Sequence, residues 1–464
     1  MSTTDHRRGL DELSRVVLSN PFSNGWVLAR RQVERALLAG NAVQEIRARA
    51  ESGHGTEARR LFLTWQFISA LSTSQNEKSG ANSSQLRPGS DVVADLCAKI
   101  AFDHKRLTRL VAASVEAYKL VNRFKGRSAA AKKVRQQTWE AVLGADLYHV
   151  HSMLPYIRRT YVSVHGETGT GKELIAQAVL WGTPAADSFL QPLYGKPLLK
   201  KEKKRAPIVA ANVAALHEGT IESTLFGHEV GAFTGATEKR TGLIRSAHGG
   251  TIYLDEIGEL QPHLQAKLLR VMQEMEVLPM GAETPEPADV RYVVATNRPM
   301  KPSSGSTGFR EDFLQRICGL VVEVPPLQSR KEDIPEILTS FFRRNNTGSA
   351  EDLLDPSIVR PLLNDARFQD YDWPGNVREL ENVVRRFLLT GRIELGPSPQ
   401  ETIIDLDFPT SLVMCEWTEN EVCRWYASRA KRALHLRRSD LAKRLGIHRD
   451  TLSRRLDGGI DGVV

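Results

Sequence analysis

The sequence predicts a parallel α/β domain flanked on both sides by helical segments, and three observations carry that prediction. A glycine-rich turn, Gly166 to Lys172, follows a short β-branched run and precedes a helical stretch. Further strand-like runs recur beyond it at Pro207 to Ala211, Thr251 to Leu254, Val290 to Ala295 and Leu320 to Val324, separated by helical patterns, which implies a mainly parallel sheet covered on both faces. The segments before and after it show apolar residues only at three- and four-residue spacing, the period of amphipathic helices.

At 464 residues the chain is too long for one ordinary core and should divide into roughly three domains. Charged residues make up 25% and apolar ones 41%, the proportions of a globular chain and not of a disordered or fibrous one. The formal charge of +8 suits a nucleic-acid partner, although excess Lys and Arg also coat plain solvated surfaces. It gathers toward the C-terminal end and in the run Lys200 to Arg205. No apolar run approaches the roughly 18 residues that span a bilayer, and the opening MSTTDHRRGLDEL lacks a signal peptide's apolar stretch, so a cytoplasmic protein without membrane contact is expected. Cys97, Cys318, Cys415 and Cys423 stand at none of the close spacings of a metal site and are read as free thiols.

Taken in order, residues 1–125 read as a helical region of unknown function, with helical periodicity over Trp26 to Ile46, Ala58 to Leu71 and Val92 to Val121 and a polar loop from Ser72 to Asp91. They lack the alternating strands with acidic ends of a phosphoacceptor domain. Residues 126–332 form the α/β part, opening with a helix and then the strand Thr160 to Val164. A helical subdomain is expected over 333–395, a linker with Gly396, Pro397 and Pro399 over 396–416, and a basic helical domain over 417–464.

The turn after the first strand reads Gly166-Glu167-Thr168-Gly169-Thr170-Gly171-Lys172-Glu173. Glycines let backbone N–H groups close around phosphate oxygens, the following helix N-terminus adds positive potential, and Lys172 can neutralise the outer phosphates; this is a P-loop in its proper context. Glu173 stands where most P-loops hold magnesium with Ser or Thr, so the metal must lean on other groups. Thr251-Ile-Tyr-Leu-Asp255-Glu256 is an apolar strand ending in two carboxylates: Asp255 can hold magnesium and Glu256 can orient and deprotonate a water.

Between these elements lies Glu222-Ser-Thr-Leu-Phe-Gly-His-Glu-Val followed by Gly231-Ala232-Phe233-Thr234-Gly235-Ala236. Fold stability does not call for two Gly-Ala pairs bracketing an aromatic and a hydroxyl, whereas a glycine-hinged tip presented to a partner does. The stretch resembles the signature of the AAA+ activators of sigma-54 RNA polymerase, and the resemblance runs almost continuously over residues 135–390. It implies a AAA+ ATPase domain with a helical lid, ATP and Mg2+ as cofactors, a homo-oligomeric ring of six with a resting dimer as the alternative state, and sigma-54 holoenzyme as the partner of Phe233 and Thr234. By the same resemblance Asn212 restrains Glu256, Thr296 and Asn297 sense the γ-phosphate, and Arg378 in Trp373-Pro-Gly-Asn-Val-Arg378-Glu-Leu folds back from the lid onto the nucleotide. Arg310 and Arg316 correspond to the arginines that reach a neighbouring subunit's ATP, where a guanidinium fork can speed phosphoryl transfer by about 10³- to 10⁵-fold. A plain surface pair of Arg310 with Asp312 is the alternative. Val213 departs from the family's usual cysteine, Gln328 from its arginine, and Thr183 to Arg205 is longer than usual and ends in the lysine run.

Near the C-terminus, Ser439 can cap a helix, Leu441, Ala442 and Leu445 give it a packing face, Gly446 permits a turn, and a second helix starts near His448. This resembles the helix-turn-helix of the nucleoid protein Fis, which would offer His448, Arg449, Thr451, Arg454 and Arg455 to double-stranded DNA upstream of promoters, with Val422 to Leu434 available for dimer contact. A basic helical hairpin without DNA affinity is the alternative there. For the whole chain the resemblance implies a sigma-54-dependent transcriptional regulator driven by ATP hydrolysis. Its rivals are a DNA-binding scaffold that binds ATP without activating, and a small-molecule P-loop kinase.

Overall fold

The computed structural model describes residues 3–39, 42–75, 90–99, 104–190, 207–301, 308–345, 363–396, 442 and 450–453. Helices open the chain: α1 (Thr3–Leu18), α2 (Trp26–Ala39), α3 (Ala42–Glu51), α4 (Gly55–Gln75), α5 (Ser90–Lys99) and α6 (His104–Val121). The periodic stretches at Trp26 to Ile46 and Val92 to Val121 are thus two helices each, and α4 runs into the expected polar loop as far as Gln75. Next come α7 (Ala129–Leu143), started by Ser128, whose side-chain oxygen accepts from Ala131 N at 2.9 Å, and α8 (Val150–Arg159). Thr160, expected to begin a strand, is instead the C-cap of α8, and β1 spans Val162–His165.

The α/β part continues with α9 (Lys172–Leu190), β2 (Ile208–Asn212), α10 (Ile221–Phe226), β3 (Gly227–His228), β4 (Arg240–Thr241), α11 (Leu243–Ser246) and β5 (Thr251–Asp255). It closes with α12 (Pro262–Glu274), β6 (Glu276–Val277), β7 (Glu286–Pro287), β8 (Arg291–Thr296), α13 (Glu311–Ile317) and β9 (Leu320–Glu323). The helical subdomain holds α14 (Ile334–Asn345), α15 (Ala366–Asp370) and α16 (Asn376–Thr390).

All five strand-like runs of the sequence join one sheet in the order β2-β5-β8-β1-β9, with every neighbouring pair parallel. Every residue of β8 is buried, as a central parallel strand with helices on both faces requires. Side chains alternate along the strands. Val162, Val164, Tyr253, Val293, Ala295 and Val322 enter one core, while Ile252, Leu254, Tyr292 and Val294 enter the other with α10 to α13.

The first core does not stop at the helices next to the sheet. Ile175, Ala176, Val179 and Leu180 of α9 are buried between the strands and α6, and the same cluster runs from Leu10 of α1 to Val324. Trp139 of α7, fully buried, meets Phe22 edge-on at 6.2 Å and Phe67 at 6.4 Å between ring centroids, and Phe22 stacks on Tyr118 at 5.3 Å. Three hydrogen bonds cross this seam: Asn20 Nδ2 donates to Gln136 O at 2.9 Å, Gln136 Nε2 to Phe22 O at 3.0 Å, and Leu147 N to Leu18 O at 2.9 Å.

The connection between α6 and α7 is held by the start of the helical subdomain. Buried Asp333 accepts from Arg127 N at 2.6 Å, Ser128 N at 2.7 Å and Ser128 Oγ at 2.6 Å, and Glu336 accepts from Gly126 N at 3.1 Å. A Cβ at Gly126 would lie 2.5 Å from the Asp333 carboxylate, so only glycine allows this approach. By contact density the chain divides into residues 1–393 and 394–464. In the second unit the described residues are helical at Ala442 and Asp450–Ser453, with Ala442 and Leu452 buried. Among the described residues no helix is long and apolar enough to cross a membrane.

A continuous core unfolds as one body. Phe67→Ala removes a fully buried ring, with an expected cost of about 3–5 kcal/mol. Urea unfolding followed by far-UV circular dichroism and by tryptophan fluorescence should show the transition of residues 1–393 displaced as a whole; a split of that transition, with only one part displaced, would refute the shared core.

Candidate nucleotide site and partner loop

The P-loop leaves the C-terminal end of β1, and a cavity of about 530 Å³ opens beside it, lined by Thr168 to Glu173, Asp255, Glu256 and Arg378. The cavity therefore gathers the P-loop, the paired carboxylates and the lid arginine singled out in the sequence. Lys172 is 8% exposed, and its Nζ donates to Gly166 O at 2.8 Å and Glu167 O at 3.2 Å. Burial holds its pKa below the usual lysine range, opposed by the charges of Glu256 and Asp255.

Three successive P-loop carbonyls accept donors from the helical subdomain and its approach: Thr168 O from Asn376 Nδ2 at 3.1 Å, Gly169 O from Val377 N at 3.0 Å, and Thr170 O from Arg330 Nη2 at 2.9 Å. Asn376 is fully buried and left-handed (φ 54°), and it also donates to Glu167 Oε2 at 3.0 Å while its Oδ1 accepts from Leu327 N at 2.7 Å. Asparagine tolerates that φ better than most residues. Gly169 has φ 81°, and a Cβ there would sit 2.4 Å from Gly375 O, so the close docking of the two segments depends on its missing side chain.

Asp255 ends β5, and Glu256 turns left-handed after it (φ 52°), with Glu256 N donating to Asp255 Oδ1 at 3.0 Å. Asn297 bridges the site: its backbone N donates to Glu256 Oε2 at 3.3 Å and its Nδ2 to Thr168 Oγ1 at 3.3 Å. Thr296 is buried, and its Oγ1 accepts from Arg298 N at 3.0 Å. Asn212 stands opposite Asp255 in the sheet, and its Oδ1 caps the following turn by accepting from Ala214 N at 2.9 Å. Among the described residues no group of three or more His, Cys, Asp and Glu is arranged to hold a metal; of the carboxylates at the cavity, Asp255 and Glu256 stand at the end of β5, while Glu173 and Glu381 line it from α9 and α16.

Arg310 and Arg316 do not line this cavity. Arg310 is exposed and forms the surface pair with Asp312 at 2.8 Å, each raising or lowering the other's pKa toward the charged form. The Arg316 guanidinium lies 5.1 Å over the Tyr161 ring and donates to Met272 O at 3.2 Å.

The loop Gly231–Ala236 sits between β3 and β4. Gly231 N donates to Ala236 O at 2.8 Å and Ala236 N to Phe233 O at 3.0 Å, closing a turn whose two glycines have φ 78° and 99°. Thr234 is exposed, and Phe233, 38% exposed, leans edge-on against buried His228 at 5.0 Å, whose Nδ1 lies 2.7 Å from Ser223 Oγ. The β6–β7 hairpin braces the base: Glu229 N donates to Met280 O and Met280 N to Gly227 O, each at 2.9 Å. Lys239 pairs with Glu229 at 2.6 Å and Glu286 at 3.4 Å, and Arg245 reaches Glu286 at 3.2 Å.

Of the proposed DNA contacts, Thr451 is half-buried on the helical turn beside Leu452, and His448, Arg449, Arg454 and Arg455 lie outside the described residues, as do Cys415, Cys423 and the lysine run. Sequence reading passed over Phe124, Arg330 and Asn376, all at the P-loop. Only Asn376 left a local trace, a residue tolerant of positive φ directly after Pro-Gly at a helix start.

The chain's similarities to known proteins agree with this geometry. Residues 145–323 match the Sigma-54 interaction domain and residues 328–395 the AAA+ ATPase lid domain. Over 277 residues, 56% of this chain and 53% of the relative, it is 40% identical to the DNA-binding transcriptional regulator NtrC of Azospirillum brasilense. Over 303 residues, 64% of this chain and 62% of the relative, it is 37% identical to the transcriptional regulatory protein ZraR of Escherichia coli K12. Over 239 residues, 51% of this chain and 39% of the relative, it is 41% identical to the Nif-specific regulatory protein of Herbaspirillum seropedicae. The matches thus span about two fifths to three fifths of the length of these relatives.

Gly169→Ala should force the Asn376 segment off the P-loop and weaken binding of a fluorescent ADP analogue by about tenfold or more, roughly the loss of one or two hydrogen bonds with added strain. Unchanged affinity in a fluorescence titration would show that the docking does not shape the site.

Proposed function

We propose, on the premise that residues 145–323 belong to the Sigma-54 interaction family and residues 328–395 to the AAA+ ATPase lid family, that this chain is a cytoplasmic, ATP-hydrolysing regulator that opens promoters held by sigma-54 RNA polymerase. The Gly231–Ala236 loop carries this conclusion, because it presents Phe233 and Thr234 at the surface of the same domain that houses the P-loop cavity.

Backbone N–H groups of Gly169 to Lys172 and the Lys172 ammonium fit the phosphates of ATP, and Arg378 lines the same cavity from the lid side. Asp255 would hold Mg2+, which would neutralise the charge developing on the transferred phosphoryl group. Glu256 takes the proton of the attacking water, and Asn297, bonded to both Glu256 and Thr168, ties that base to the P-loop. Asn212, on the strand beside Asp255, restrains Glu256 by turning its side chain toward it from its present capping position.

Arg310 and Arg316 stay clear of their own subunit's cavity, and this supports their action on a neighbour's ATP in a closed ring of six. The nucleotide state then sets the lid through Arg378 and the P-loop carbonyls, and the loop moves against sigma-54 as a rigid-body consequence. The C-terminal helix-turn-helix tethers the ring to duplex DNA upstream, with His448, Arg449, Thr451, Arg454 and Arg455 on the groove side.

In a purified sigma-54 transcription assay with ATP, open-complex formation should fall by more than about tenfold in Thr234→Ala and Phe233→Ala while ATP hydrolysis persists. Promoter opening at the unmodified rate in both variants would sink the loop's assigned role. Arg316→Ala should lower hydrolysis by about 10³-fold, and mixing it with a Lys172→Ala chain should restore part of the rate if the arginine works across subunits; no recovery would place Arg316 outside the chemistry.

A further inference from the structure

Two buried arginines connect the helical layer to the P-loop. The Arg135 guanidinium lies 5.7 Å over the ring of Phe22, and its Nη1 donates to Phe124 O at 3.0 Å. The Phe124 ring in turn carries the Arg330 guanidinium at 4.8 Å, and Arg330 donates to Pro325 O at 3.1 Å and Thr170 O at 2.9 Å. Arg135 is 8% and Arg330 2% exposed, and burial lowers the pKa of both, that of Arg330 to about 10. Phe124 also forms part of the cavity wall.

A buried guanidinium is costly to desolvate, and an apolar side chain of similar size often stabilises a core as well or better. What an arginine adds is a planar fork that stacks on a ring and donates in fixed directions, which makes it suited to holding geometry. Here Phe124 joins the two forks, its carbonyl accepting from Arg135 and its ring facing Arg330. One end rests on Phe22, which also packs on Tyr118 of α6 and Trp139 of α7; the other ends on a P-loop carbonyl.

The geometry points to a relay in which Phe22, Arg135, Phe124 and Arg330 couple the seating of the helical layer to nucleotide affinity, with Arg330 as the positioning residue that sets the Thr170 peptide. The relay rests on the cavity being a nucleotide site. A ligand or partner that shifts α1, α2 or α6 changes how Phe22 supports Arg135, and the change reaches the P-loop without the helical layer leaving the core. Nucleotide binding, by reciprocity, stiffens the seam at Phe22.

The test is a double-mutant cycle on the full chain, reading dissociation of a fluorescent ADP analogue and the thermal midpoint of each variant. Phe22→Ala, distant in sequence from the cavity, should weaken binding by about three- to tenfold, and Phe22→Tyr should restore it. Arg330→Lys, which keeps the charge but cannot stack and donate to both carbonyls, should weaken binding as well. The double variant should bind within about twofold of the weaker single one, because both cut the same column. If Arg330→Lys fails to fold, Phe124→Leu takes its place in the cycle. Losses that multiply, or a Phe22→Ala chain that melts lower but binds ADP unchanged, would overturn the relay and leave the nucleotide site standing. Failure of the unmodified chain to bind the analogue would overturn the nucleotide site and the relay with it.

Discussion

The carbonyls of Thr168, Gly169 and Thr170 all accept hydrogen bonds from the lid side of the molecule, and the rest of the site depends on that constraint. A trans peptide points its C=O and N–H in opposite directions, so fixing three carbonyls toward Asn376, Val377 and Arg330 turns the N–H groups of the next three residues the other way. The P-loop is therefore not a free glycine-rich turn. Its conformation is an agreement between β1, which delivers it, and the lid, which orients it. Motion of the lid is also motion of the phosphate cradle.

The Gly231–Ala236 loop is built on the same plan, with a glycine-hinged turn whose base is held by another segment. Gly227 and Glu229 exchange backbone bonds with Met280 in the β6–β7 hairpin, and exposed Lys239 with half-buried Glu229, Glu286 and Arg245 links the two arms through surface charges. Surface pairs of this kind contribute little stability, roughly 0–1 kcal/mol each. Pairs this weak leave the arms free to exchange partners, while Ala236, buried at the loop's end, is anchored.

The P-loop, the carboxylates ending β5 and all five sheet strands were legible in the sequence, because each is a local pattern: glycine spacing before a helix, or a short apolar run. Strand and helix ends were less so. Thr160 is β-branched and reads as strand, but its Oγ1 and N both bond back to Tyr156 O and close a helix. Arg330 and Phe124 were not legible, since they lie far apart in sequence and one of them passes for an ordinary basic residue in a charged stretch. The double-sided burial of α9 had a faint local sign, an almost uncharged helix beyond Glu173, which a helix with one face in water does not need.

The outer face of α9 is apolar because α6 covers it, and this has a bearing on how such a chain can be recombined. A crossover near residue 125, where the sequence changes character, would sever Phe22 and Phe67 from Trp139 and leave a wet hydrophobic helix on one product. A crossover at Ile393/Glu394 cuts between two compact units. In gene shuffling, natural or engineered, the front helices should travel with the P-loop domain as one heritable block, and the tail is the piece free to be traded.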